Sequence, residues 1–201
     1  MKNLPLYCLA AASLALSLFF EKTPFSSGSA SSTPLVAEAS LFSLFSDEED
    51  KKLDLTAGDS AAYAYYDQAL GLRLSRTENQ DLLRTVLDWI GTPYRYGSNS
   101  RQGTDCSGFV TRVYKEVYGI TLQRSSRSMF SSVKRIGREA METGDLVFFR
   151  RGPGQPIYHV GIYLKDGKFV HSACNGGVMI SSLSQQYYHR NFYAAGRVSL
   201  D

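Results

Sequence analysis

The sequence predicts an α+β fold, with helices leading the folded domain and antiparallel strands following. Apolar residues Leu82, Leu83, Val86, Leu87 and Ile90 recur at helical spacing, as do Phe109, Val110, Val113, Tyr114 and Val117. After Gly144 the pattern changes to short apolar and β-branched runs broken by turn residues. Helices first and strands after, without alternation, is the order of an α+β chain rather than of a doubly wound sheet.

The elements follow in chain order. Lys2 and the apolar run Leu6 to Phe20 read as a signal peptide, and residues 1–30 are assigned to it. Two small-residue cleavage patterns follow the run, Gly28-Ser29-Ala30 and Ala37-Glu38-Ala39, and an uncleaved anchor is the alternative. Residues 31–76 are rich in Ser, Ala, Thr and acidic side chains and read as a mostly disordered tether. Tyr63, Tyr65 and Tyr66 are candidates to dock on the domain. The domain itself is assigned to 77–201. Thr77-Glu78-Asn79-Gln80 fits a capping box for the first helix, which Gly91 closes. A second helix runs from about Asp105 to Tyr118 and ends at Gly119. A third begins at Ser125 or Ser126. Strands are expected at Leu146 to Arg150, His159 to Leu164 and Lys168 to Ala173, with weaker candidates at Val178 to Ser181 and Ala194 to Ser199.

Composition narrows the function. A net charge of +3 is too small for a nucleic-acid surface, and no internal repeat is present. Hydrophobic content of 43% is enough for a real core. Without residues 1–30 only Cys106 and Cys174 remain, too few for a disulfide scaffold. No Cys-x-x-Cys or His-x-x-x-His spacing suggests a metal, and no cofactor is expected.

Cys106 lies in Gly103-Thr104-Asp105-Cys106-Ser107-Gly108, at the entry to the second helix. Unpaired N–H groups and the helix dipole favour a thiolate there. A buried structural cysteine is the plainer alternative. Two of the three histidines fall in one predicted hairpin. A two-residue Asp166-Gly167 turn with regular pairing would put His159 and His171 on opposite faces. A three-residue loop, Lys165-Asp166-Gly167, sets Leu164 against Lys168 and Gly161 against His171. Both rings then share one face as diagonal neighbours, and this register is the expected one. His189 is expected on the surface.

Five segments, in order, carry a resemblance. They are Gly91-Thr92-Pro93-Tyr94-Arg95-Tyr96-Gly97, Asp105-Cys106-Ser107-Gly108-Phe109-Val110, Gly144-Asp145-Leu146-Val147-Phe148-Phe149, His159-Val160-Gly161-Ile162-Tyr163 and Phe169-Val170-His171. Over about residues 79–200 the chain resembles the NlpC family of papain-like cysteine peptidases. The resemblance implies a papain-like fold in which the helix carrying the nucleophile packs on the sheet carrying the histidines. It implies Cys106 as nucleophile, His159 as general base and His171 as the orienting third member. It implies that the Tyr94 hydroxyl and the Cys106 N–H form an oxyanion hole, and that Asp105, Ser107 and Ser125 contact the amine end of a stem peptide. The implied partner is peptidoglycan peptide, cut at the D-alanine–diaminopimelate cross-link or at the γ-D-glutamyl–diaminopimelate bond. A monomeric enzyme exported to the periplasm or cell envelope is expected, without stable membrane insertion once the leader is removed. A related amidase or acyltransferase, or a catalytically silent wall-binding module, is the competing reading.

Overall fold

The computed structural model describes residues 47–199. The expected leader and the first part of the expected tether lie outside the described residues. No described helix is long and apolar enough to cross a membrane.

The domain begins earlier than the sequence suggests. Residues assigned to the tether form helix α1, Asp47–Leu70. Tyr63, Leu70 and Leu72 are buried in the main core, and the Tyr63 hydroxyl donates to the Glu78 carbonyl at 2.6 Å. The polar composition of 47–70 hides this docking, because only a few apolar positions face the domain. The tether assignment is therefore corrected over these residues.

Helix α2, Gln80–Trp89, carries the first predicted stripe, with Leu82, Leu83, Val86 and Trp89 buried. Its cap is Asn79, whose Oδ1 accepts from the Leu82 N–H at 3.0 Å, and not Thr77. The Thr77 capping box does not form; Gln80, which would be its reciprocal partner, donates its side-chain amide instead to Asp59 Oδ1 at 3.1 Å. A two-stranded ladder, β1 Asn99–Ser100 and β2 Gly103–Thr104, leads into α3, Cys106–Tyr118. Gly119 ends α3 in the left-handed conformation, as expected. Helix α4, Ser126–Ser132, starts at its Ser125 cap.

Six strands form one antiparallel sheet in the order β3-β8-β4-β5-β6-β7. They are β3 Lys134–Ile136, β4 Leu146–Phe149, β5 His159–Lys165, β6 Lys168–Ala173, β7 Gly177–Ser182 and β8 Phe192–Arg197. A short helix, α5 Gln186–Asn191, precedes β8. Alternation divides the sheet's side chains between two clusters. Leu146, Phe148, Val160, Ile162 and Val170 join the core beneath the helices. Val147, Phe149, Phe169 and Leu183 form a second cluster on the other face, covered by Tyr188 and Phe192.

The β5–β6 hairpin holds the expected register by a different device. Its turn has two residues, Asp166 and Gly167, both at positive φ (51° and 73°) between the paired Lys165 and Lys168. The three-residue loop is corrected accordingly. A bulge between Tyr163 and Lys165 then shifts the pairing, so that Tyr163 faces Phe169 and Ile162 faces Val170. Continued, this register sets Gly161 against His171. A side chain on Gly161 has no room: a Cβ there would lie 2.8 Å from both Phe169 Cδ2 and the Val170 carbonyl oxygen, and 3.1 Å from His171 Cβ. Gly161→Ala is expected to lower stability by about 1–3 kcal/mol through overpacking, read as a lower urea midpoint with unchanged m-value.

Candidate active site

Asp105 builds the start of α3. Its Oδ1 accepts from the Gly108 N–H at 2.7 Å, and its Oδ2 from the Gly97 N–H at 2.8 Å. Arg124 grips both oxygens, at 2.9 and 2.8 Å, and also donates to Ser107 Oγ at 2.8 Å. Ser107 Oγ in turn donates to Asp105 Oδ1 at 3.1 Å. Burial alone would raise the Asp105 pKa, but Arg124 and the two backbone donors hold the carboxyl below its usual range. All of its acceptor capacity is engaged. Asp105 and Ser107 therefore act as framework for the helix mouth, and Arg124 presents the exposed edge of this cluster. Gly108 lets the helix approach the loop: a Cβ there would lie 2.2 Å from the Ser98 carbonyl oxygen.

Tyr94 is held beside the same helix mouth. Val178 N–H donates to Thr92 O at 2.8 Å, Thr104 N–H donates to Pro93 O at 3.0 Å, and Tyr94 bridges Thr104. Burial raises the Tyr94 pKa, and its hydrogen bond with Cys174 raises it further, so the phenol keeps its proton as a donor.

The histidines lie on the face opposite the helix-packed core, and they line one opening together with Cys106. His159 is the first residue of β5. The next residue, Val160, directs its backbone N–H at the Cys106 sulfur. His159 Nε2 lies 2.8 Å from His171 Nδ1, with ring centroids 4.9 Å apart and planes nearly perpendicular. That contact leaves Nδ1 as the His159 nitrogen open to the cleft. His171 is fully buried, stacked on Phe169 at 4.8 Å between centroids.

Burial favours the neutral forms of both Cys106 and His159. Burial pushes the Cys106 thiol up to about 11, and the Asp105 charge adds to that rise; the N–H groups of Val160 and Ser107 oppose it. Desolvation and the adjacent carboxylate thus oppose the stabilisation that the helix mouth offers a thiolate. Burial also draws His159 down to about 4. Burial, then the neighbouring His159, draws His171 down to about 2. Moving the thiol proton to the imidazole creates both charges together, each the counterion of the other.

Two openings flank Cys106 and share Tyr94 and Tyr158. One, of about 470 Å³, holds His159, His171, Arg151 and Cys174. The other, of about 620 Å³, holds Asp105, Ser107, Arg124, Ser125 and Arg127. Ser125 caps α4, accepting from the Ser128 N–H at 3.1 Å, and is exposed. Away from these openings, Arg101 covers Trp89 and Arg150 covers Tyr193. His189 is exposed, as expected. Sequence reasoning missed Ser181 and Tyr188, which both reach His171 Nε2, at 3.0 and 3.2 Å. The one usable signal was alternation along β7, which places Ser181 opposite Phe169 and hence on the histidine face.

The motifs are thus assembled in space, and the NlpC/P60 family description matches residues 91–197. The chain belongs to the NlpC/P60 family. It is 43% identical over 110 residues to "Probable endopeptidase NlpC" of Escherichia coli (strain K12), covering 55% of this chain and 71% of that one. It is 38% identical over 137 residues to "Murein DD-endopeptidase MepS/Murein LD-carboxypeptidase" of the same strain, covering 63% and 72%. Among solved structures, an NlpC/P60 family protein from Bacillus cereus ATCC 10987 matches with a TM-score of 0.55 at 34% identity, over 58% of this chain and 39% of that one. The chain thus spans under half the length of that solved relative.

A neutral resting pair has a chemical signature. Alkylation of Cys106 by iodoacetamide, followed by peptide mass mapping to separate it from Cys174, is expected to accelerate steadily from pH 7 to about 10, because the thiolate fraction is still rising. A rate already level at pH 6 would instead reveal a preformed thiolate–imidazolium pair.

Proposed function

We propose that this NlpC/P60 protein hydrolyses an amide bond in peptidoglycan stem peptides or their cross-links, through a thioester on Cys106. The observation that carries the reading is the grouping at the sheet end: an imidazole hydrogen-bonded to a second imidazole, in one opening with a cysteine at a helix mouth. The names of the Escherichia coli relatives, one an endopeptidase and one acting on murein, support the substrate class.

The Cys106 sulfur attacks the amide carbonyl as its proton passes to His159 Nδ1. The developing oxyanion meets the Cys106 N–H, which lies in the first helical turn and has no intrahelical acceptor, and the protonated Tyr94 hydroxyl. His159 returns the proton to the leaving amine, and the C–N bond breaks to leave the thioester. A water molecule then gives a proton to His159 and attacks, releasing the acid and restoring the thiol. His171 holds the His159 ring throughout. Ser125 and the exposed edge of Arg124 line the arm that receives one side of the substrate, with Asp105 and Ser107 setting the Arg124 position. Such a substrate fits a protein that acts in the cell envelope after export.

Incubating the protein with purified sacculi is expected to release new muropeptide fragments, identified by mass spectrometry. Cys106→Ala should reduce their rate by about a thousandfold or more, and activity surviving that change would end the mechanism. For the pH profile, only the unprotonated His159 accepts the thiol proton, and burial places its pKa near 4 rather than 6.5. The rate kcat/KM should therefore hold through pH 6 and fall as the pH drops through about 4. A fall centred near 6.5 would show that the ring is not desolvated as described.

A further inference from the structure

His171 has a partner on each ring nitrogen, and the second set of partners has no part in the chemistry above. Its Nε2 lies 3.0 Å from Ser181 Oγ on β7 and 3.2 Å from the Tyr188 hydroxyl on α5. Ser181 is buried. Tyr188 is fixed by rings on several sides: its centroid lies 5.2 Å from that of His171, 5.0 Å from Phe169 and 5.6 Å from Phe149. The two hydroxyls thus converge on one atom of a ring that has no access to water.

Proton counting gives this convergence a consequence. A neutral imidazole carries one N–H and one lone pair. Across the 2.8 Å contact, either His159 Nε2 donates to His171 Nδ1 or the reverse holds. Only the first arrangement leaves His159 Nδ1 bare to accept the Cys106 proton. It also forces the His171 proton onto Nε2, where a buried N–H without an acceptor is costly. The Ser181 and Tyr188 hydroxyl oxygens are within reach to accept at that position. They also face the N–H that becomes more polarised when His159 turns cationic during the reaction.

We propose that Ser181 and Tyr188 are positioning residues that hold His171, and through it His159, in the tautomer that keeps His159 Nδ1 free for the Cys106 proton. The proposal rests on the hydrolase reading of Cys106 and His159, but its central measurement needs no substrate.

Nitrogen-15 correlation spectra of the imidazoles in the wild-type chain should show both His159 and His171 protonated at Nε2. Tyr188→Phe keeps the ring and removes only the hydroxyl; Ser181→Ala removes the other. The double variant should show His159 protonated at Nδ1 in a measurable share of molecules. Its kcat on muropeptides should fall about tenfold to a hundredfold, the worth of one hydrogen bond to a charged group. KM should stay within about twofold, because uniform binding is untouched. Ser181→Thr, which restores a hydroxyl, should recover most of the single-variant loss. A wild-type His171 protonated at Nδ1 overturns the proposal, whatever the variants do. So does a folded double variant that loses activity with both tautomers unchanged, since that loss would be structural. Failure of the hydrolase reading shows separately, as muropeptide release that survives Cys106→Ala.

Discussion

The 2.8 Å approach of His159 Nε2 to His171 Nδ1 is the constraint to which the rest of the cleft is subordinate. The residues are twelve positions apart on neighbouring antiparallel strands, and side chains alternate faces along each strand. Whether they meet is therefore a matter of parity. A two-residue turn with regular pairing gives the wrong parity. The bulge between Tyr163 and Lys165 adds the missing step, and Gly161 leaves the space across from His171 that a side chain would fill. Once the rings share a face, burial removes charge from both, and one hydrogen bond orders their protons.

The sheet separates two tasks. Its helix-facing side, which carries Val160 and Ile162 of β5, packs against α3 and so places Cys106. Its other side holds the histidines among Phe149, Phe169 and Tyr188. The proposed chemistry lies where β5 begins, because at the strand's end a group above the sheet can reach a group below it. The same packing explains the neutral resting state. The sulfur and the rings gain position by leaving water, and desolvation is the largest influence on all three pKa values.

Much of this was legible in the residues. The helical stripe from Phe109 to Val117 fixed α3, Asp105 was readable as its cap, and the apolar runs marked the strands that carry the histidines. What was not legible depends on distant partners. Thr77 and Asn79 are both competent caps, and Gln80, the box partner of Thr77, is taken by Asp59, twenty-one residues earlier on α1. The docking of α1 rests on Tyr63, Leu70 and Leu72, too few for a periodic signal in a polar segment. The bulge is invisible because Leu164 and Lys165 are ordinary strand residues; only the pairing of Lys165 with Lys168 reveals it. Asp105 looked free to meet a substrate until Arg124, nineteen residues on, took both oxygens.

The bulge and the turn at Asp166-Gly167 compensate for one another, and this sets how the hairpin can drift over evolutionary time. Exchanging the exposed Asp166 for another residue that tolerates a left-handed backbone would cost little. Inserting or deleting a single codon between Tyr163 and Phe169 would be another matter. Every side chain of the proposed triad would survive in the translated chain, yet one ring would swing to the wrong side, and a catalogue of conserved letters would record an intact enzyme where only a silent relative remained.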